Sequence, residues 1–206
     1  DDRLGADLEQ LLGADIALHA AGHKLHIAAL YVALTYAFGA LAYNGFLQIR
    51  PAEALTILPL FFPEAIPALY IGCMLSNIAS PFWVYDVFVG SLATLAAAVG
   101  TWGIGKLFRN HVLRVAIGGL FPVLINAFII PVIIVFLCGD LSYGTLSATY
   151  WTYFGSLAVT EALWVYVLGA PLYAFIHSMR KKGVSAFCDN NVGAPLQNTA
   201  VEQKNK

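Results

Sequence analysis

Gln48–Asn77 reads QIRPAEALTILPLFFPEAIPALYIGCMLSN, and this stretch decides the fold. It opens on Arg50 and Glu53, then turns almost wholly apolar, with Pro59, Pro63 and Pro67 at four-residue spacing before it ends on Ser76 and Asn77. An apolar run of this length without proline would be one membrane helix. Proline removes a backbone donor and clashes with the preceding turn, so the run predicts two short helices, Ala54–Phe62 and Ala65–Ile78, with a tight break between them. Each is too short for a hydrocarbon core of about 30 Å. Short, broken intramembrane helices leave backbone groups and polar side chains facing a cavity, where polar solutes bind.

The flanking sequence sets the class. The chain has 206 residues, 59% of them hydrophobic and 11% charged, with a mean hydropathy of +0.73. A soluble domain carries about 25% charged residues. Between Leu25 and Gly105 the charges are Arg50, Glu53, Glu64 and Asp86 alone. An all-α integral membrane protein with six transmembrane helices follows, the second and third being the short, proline-broken pair. The other spans are expected at Leu25–Tyr43, Asp86–Trp102, Val115–Leu137 and Tyr150–Ile176. Residues 1–23 form a polar, amphipathic segment, 24–179 the membrane domain, and 180–206 an Asn/Gln-rich cytoplasmic tail of disordered composition. Gly45 is a candidate hinge in the first loop.

Charge distribution orients the bundle. With both termini in the cytoplasm, Lys24, Lys106, Arg109, Arg114 and Arg180 to Lys182 all fall inside, and Arg50 falls outside as the exception. In that topology Arg50, Glu53, Asn77 and Asp86 gather at the outer mouth. Glu161 lies about 16 Å down the last span, near the midplane. An ionisable group there is costly and must face protein or a water-filled cavity. These groups, with Asn126 as a buried donor, suit a flat heterocycle: a carboxylate accepts paired N–H donors, and a guanidinium or amide serves a ring carbonyl. Tyr85, Tyr150 and Phe154 are candidate stacking rings. The plain alternatives are an exposed Arg50–Glu53 pair, Asp86 as a helix N-cap, and Asn77 bonded to neighbouring backbone. Cys73, Cys138 and Cys188 lack metal or redox spacing, the five histidines are scattered, and no phosphate-binding loop of the G-x-x-x-x-G-K-[ST] kind is present.

The same stretch carries a resemblance. QIRPAEALTILPLFFPEAIPALYIGC, DVFVGSLAT from Asp86 to Thr94, and Glu161 with VLGAPL from Val167 to Leu172 together resemble the QueT family over about Leu25 to His177. The sequence departs from the family pattern at Pro51, Ala68 and Ser76. Resemblance to QueT implies the substrate-binding S component of an energy-coupling factor (ECF) transporter, with the bundle of that class. It implies capture of a queuosine precursor, a deazaguanine base, from outside the cell. The chain itself would need no cofactor, ATP being hydrolysed by a partner ATPase pair acting through a membrane coupling subunit. Ala29, Ala33 and Ala37 form a small-xxx-small stripe on the first helix, either an internal packing face or, as the resemblance implies, a docking face for that subunit. The rival readings are an S component for another vitamin-like solute, an intramembrane enzyme using Glu161 and Asp86 as acid and base, and a solitary channel or scaffold. No nucleophile–base couple favours an enzyme, and the apolar inner halves of the spans disfavour a channel.

Overall fold

The computed structural model describes residues 22–44 and 46–183, and over these it is helical throughout, without a strand. Six helices follow one another: α1 Gly22–Tyr43, α2 Pro51–Leu60, α3 Ala65–Ala79, α4 Trp83–Leu107, α5 His111–Leu137 and α6 Leu146–Lys181. Helices α1, α4, α5 and α6 are long and apolar enough to cross a membrane, whereas α2 and α3 are shorter apolar helices. The expected hinge at Gly45, most of the segment 1–23 and the tail beyond residue 183 lie outside the described residues.

The organising stretch forms the centre of the bundle. Helix α2 is a 3-10 helix in which all ten residues are buried. It starts at Pro51, three residues before the expected Ala54, because proline's fixed φ suits a first helical position. Pro59 lies inside it, and Pro67 lies inside α3; the interruption falls at 61–64, around Pro63. A 3-10 helix rises about 2.0 Å per residue, so ten residues reach about 20 Å where an α-helix would reach about 15 Å. The winding therefore recovers length that the short sequence lacks. Its final carbonyls are met by cations from two other helices. Arg114 of α5 donates to Leu60 O at 2.5 Å, and Arg180 of α6 donates to Phe61 O at 3.2 Å. Arginine at a helix C-terminus satisfies orphan carbonyls and opposes the negative end of the dipole.

Other boundaries extend past the expected ones because polar residues cap them. Asn110 Oδ1 accepts from Val112 N at 2.9 Å, which starts α5 at His111 rather than Val115. Thr145 Oγ1 accepts from Ala148 N at 3.2 Å and starts α6 at Leu146 rather than Tyr150. Helix α6 then runs through Arg180 to Lys181, so the expected boundary at 180 falls within its last turn. In the α5–α6 loop, Asp140 accepts from Ser142 and, at 2.6 Å, from the Tyr153 hydroxyl; these bonds hold its carboxyl below the usual carboxylate range.

Helix α1 shows how the bundle splits inward and outward faces. Ala28, Tyr31, Thr35 and Ala42 are buried, and Tyr31 packs in the main core with Ile57, Leu69 and Tyr173. Gly72 of α3 admits this approach: a Cβ there would meet Tyr31 Cβ at 3.0 Å and Ala28 O at 3.1 Å. Ala29, Ala33 and Ala37 face the other way and are exposed.

Candidate functional site

Charged side chains from α2 and α6 meet beneath the loop that joins α1 to α2. Arg50 lies at the mouth of α2 and Glu53 one 3-10 turn along, and both are buried, at 8% and 1% exposure. The exposed i,i+3 pair is thus corrected to a buried one: Arg50 Nε stands 3.6 Å from Glu53 Oε1. Low dielectric makes such a pair strong but costly unless further hydrogen bonds complete it. Those bonds come from two other helices. Tyr31 of α1 donates its hydroxyl to Glu53 Oε1 at 2.6 Å, and Arg50 Nη2 donates to the same hydroxyl at 3.2 Å and to Asn77 Oδ1 of α3 at 3.3 Å.

Asn77 is itself fixed, its Nδ2 donating to Asp86 O at 2.8 Å. Its partners therefore extend beyond neighbouring backbone. Asp86 is no N-cap, since α4 begins at Trp83 and Asp86 opens a π-turn inside it, Asp86–Gly90. Its Oδ2 accepts from the Ser80 hydroxyl. Single π-turns often mark functional positions in helices, and a second one, Leu163–Leu168, follows directly after the Glu161 turn.

Glu161 comes from the far wall. It is 4% exposed, and its Oε1 accepts from Asn126 Nδ2 of α5 at 3.1 Å. Pro122 and Pro131 bracket Asn126 in α5, and the helix passes into a π-turn at Val132–Leu137 just beyond. Arg50, Glu53, Asn77, Asp86, Asn126 and Glu161 all line one enclosed cavity of about 10 Å³, room for a single water. Around it, Arg50 Nε, Glu53 Oε2 and Glu161 Oε2 are buried without a hydrogen-bond partner in the protein. Buried polar atoms left without a hydrogen bond are costly and call for a reason. Here the donor and the two acceptor oxygens all belong to residues lining the same cavity, which can serve a ligand that offers N–H donors and a carbonyl together.

Three of the expected site residues are elsewhere. Tyr85 is 40% exposed at the start of α4. Tyr150 and Phe154 share Glu161's helical face but stand about 16 and 10 Å further along α6. Tyr150 donates to Phe128 O at 3.1 Å, and the Phe154 ring packs on Phe128 with centroids 4.7 Å apart. The aromatic rings that line the cavity are Tyr43 and Phe82. Cys73, expected as an apolar filler, also lines it and accepts from Thr94 Oγ1 at 3.2 Å and Asn77 Nδ2 at 3.4 Å. Tyr31, the residue that ties the ion pair to α1, could have been noticed from Thr35 four positions on: two polar residues on one face of an apolar helix.

Among the described residues of the α1–α2 loop, 46–49 are tied to Asn44, α1 and α6. Phe46 O accepts from Ser156, and Gln48 O from Trp164 Nε1 at 3.4 Å, both donors on α6. Ile49 N donates back to Leu41 O at 3.0 Å. Gln48 itself lines the cavity. Among the described residues, no group of three His, Cys, Asp or Glu side chains is arranged to hold a metal ion.

Comparison with known proteins gives two matches. The family described as QueT transporter matches residues 23–178. A protein of Lactococcus lactis subsp. cremoris described as queuosine precursor transporter QueT is 48% identical over 70 residues, which are 34% of this chain and 41% of that protein. The alignment thus spans less than half of the relative's length. No solved structure matches the chain.

Proposed function

The chain belongs to the QueT transporter family, and from that membership we propose that it is the substrate-binding membrane subunit of an ATP-driven ECF importer for a queuosine precursor. In this reading it is a six-span protein of the cell membrane with both ends in the cytoplasm. α2 and α3 serve as the short second and third spans, and a deazaguanine base enters from outside. The observation that carries the reading is the set of buried atoms without a hydrogen bond on residues lining the cavity: Arg50 Nε as donor, held only by its 3.6 Å ion pair, with Glu53 Oε2 and Glu161 Oε2 as acceptors. The pyrimidine edge of a deazaguanine offers N–H donors beside a carbonyl, the complement of that set. Tyr43 and Phe82 are the rings available to stack on it.

Small-molecule pockets measure several hundred Å³, so a cavity of about 10 Å³ must widen to admit a base. In this reading residues 46–49 open, releasing the bonds from Ser156 and Trp164 and the pairing of Ile49 with Leu41, while Arg50 stays in its network with Tyr31 and Asn77. Titration calorimetry of the purified full chain with deazaguanines, guanine and common vitamins tests the reading. Saturable binding of deazaguanines in preference to guanine and the vitamins is expected; tighter binding of a vitamin would overturn it in favour of another solute.

Two further outcomes follow from the topology and the docking face. A cysteine placed at Ser142 should react with a membrane-impermeant thiol reagent added outside intact cells, and one placed at Arg109 should not. The reverse pattern would invert the bundle. Ala29, Ala33 and Ala37 are exposed, so a larger side chain there meets no internal neighbour that must move. Ala33→Leu should therefore weaken co-purification with the coupling subunit while leaving ligand affinity within about twofold, as for a surface change of ±0.5 kcal/mol. Intact co-purification would remove the stripe from the docking surface.

A further inference from the structure

At the end of the bundle away from the cavity, an open groove of about 340 Å³ runs between α5 and α6. Its walls are His111, Val112, Val115 and Ala116 of α5 with Tyr166 and Tyr173 of α6. Both tyrosine hydroxyls are bound within the protein: Tyr166 donates to Ala116 O at 2.6 Å, and Tyr173 pairs with His111 Nδ1 at 2.9 Å. The rings therefore present hydrocarbon to the groove, and its lining is apolar except at the His111 end.

That end is basic. The His111 and His177 rings lie 4.2 Å apart between centroids, and Arg114, Arg180 and Lys181 are close enough to act on the charge of His177. Arg114 and Arg180 are directed to the α2 carbonyls, but their charge remains; Lys181 and Lys182 are exposed in the last turn of α6 and just beyond. Lys106 lies in the last turn of α4 and Arg109 in the α4–α5 loop. Among the described residues Glu64 is the one acid at this end, because Glu53, Asp86 and Glu161 lie at the cavity and Asp140 in the α5–α6 loop.

We propose that this groove binds one anionic phospholipid, an acyl chain lying between α5 and α6 and the phosphate facing His111 and Lys181. An apolar channel between membrane helices that opens onto a cluster of cations matches the two halves of such a lipid, and basic pockets between transmembrane helices favour anionic headgroups. The site is separate from the cavity and does not depend on which solute the cavity takes.

Native mass spectrometry of the full chain in neutral detergent, with equal phosphatidylglycerol and phosphatidylcholine of identical chains, tests the proposal. One phosphatidylglycerol should be retained, at least about fivefold over phosphatidylcholine, the preference one nearby cation confers. Lys181→Gln should reduce that preference by about fivefold. Ala116→Phe, which fills the groove from an exposed position, should abolish retention. Equal retention of the two lipids would overturn the proposal, as would a preference that survives Ala116→Phe or a lipid-free dimer formed across this face. Should Ala116→Phe fail to elute as a folded species, the Lys181→Gln arm decides: an unchanged preference overturns the proposal.

Discussion

Arg50→Met is expected to destabilise the ligand-free protein by about 3–5 kcal/mol, the cost of removing one partner from a buried ion pair. The guanidinium is the cation 3.6 Å from Glu53 Oε1, and Glu53 is 1% exposed, so its carboxylate has no route to solvent without local unfolding. The change also takes a donor from Asn77 Oδ1 and from the Tyr31 hydroxyl, which otherwise joins α1 to the pair. For a chain of this size the loss corresponds to roughly 6–20 °C in melting temperature. Arg50→Met combined with Glu53→Met should recover most of it, since a buried pair replaced by apolar groups of similar volume is often neutral or stabilising. Recovery would fall short by about 1 kcal/mol for each hydrogen bond left unmade at Tyr31 and Asn77. Melting of the two variants in detergent without ligand measures both numbers. A single variant that melts with the wild type would show that Glu53 holds no uncompensated charge. A double variant no better than the single would show that Arg50 acts through packing.

The stretch that predicts the break also predicts which polar groups meet, for a physical reason. In a membrane domain every buried charge needs a partner, and with four charges between Leu25 and Gly105 there are few pairings to choose from. Arg50, Glu53, Asn77 and Asp86 were therefore legible, as was Glu161 with Asn126 as a donor. The winding of α2 was not. Ten residues of 3-10 helix are uncommon, and in PAEALTILPL Pro51 suits the first turn of either form while Pro59 signals a break without naming the winding before it. The expected stacking rings lie away from the cavity because helical phase fixes the face and leaves the depth open: Phe154 and Tyr150 have Glu161's phase but pack on Phe128 and Phe136 instead. The rings that do line the cavity, Tyr43 and Phe82, belong to the end of α1 and the α3–α4 turn, where periodicity carries no information.

Depth matters again for Glu161, on which the sharpest functional expectation rests. One carboxylate oxygen is already used: Oε1 accepts from Asn126 Nδ2 at 3.1 Å. The other, Oε2, is buried without a protein partner beside the cavity. Glu161→Gln can keep the first bond by turning its carbonyl oxygen to Asn126. It then puts an NH₂ group where Oε2 stood, facing the N–H donors of the proposed deazaguanine ligand. One charge-assisted hydrogen bond is lost and a donor–donor clash is created. For a matched buried site this should cost about 2–5 kcal/mol of binding, or roughly 30- to 5000-fold in affinity. Ligand-free stability should hold or rise, because the substitution removes a buried charge and retains the Asn126 bond. Titration calorimetry with the deazaguanine and melting without it separate the two roles. Unchanged affinity would take Glu161 out of the site. A collapse of ligand-free stability would instead show that the carboxylate is held by the protein for its own sake, and that the orphan oxygen serves the fold.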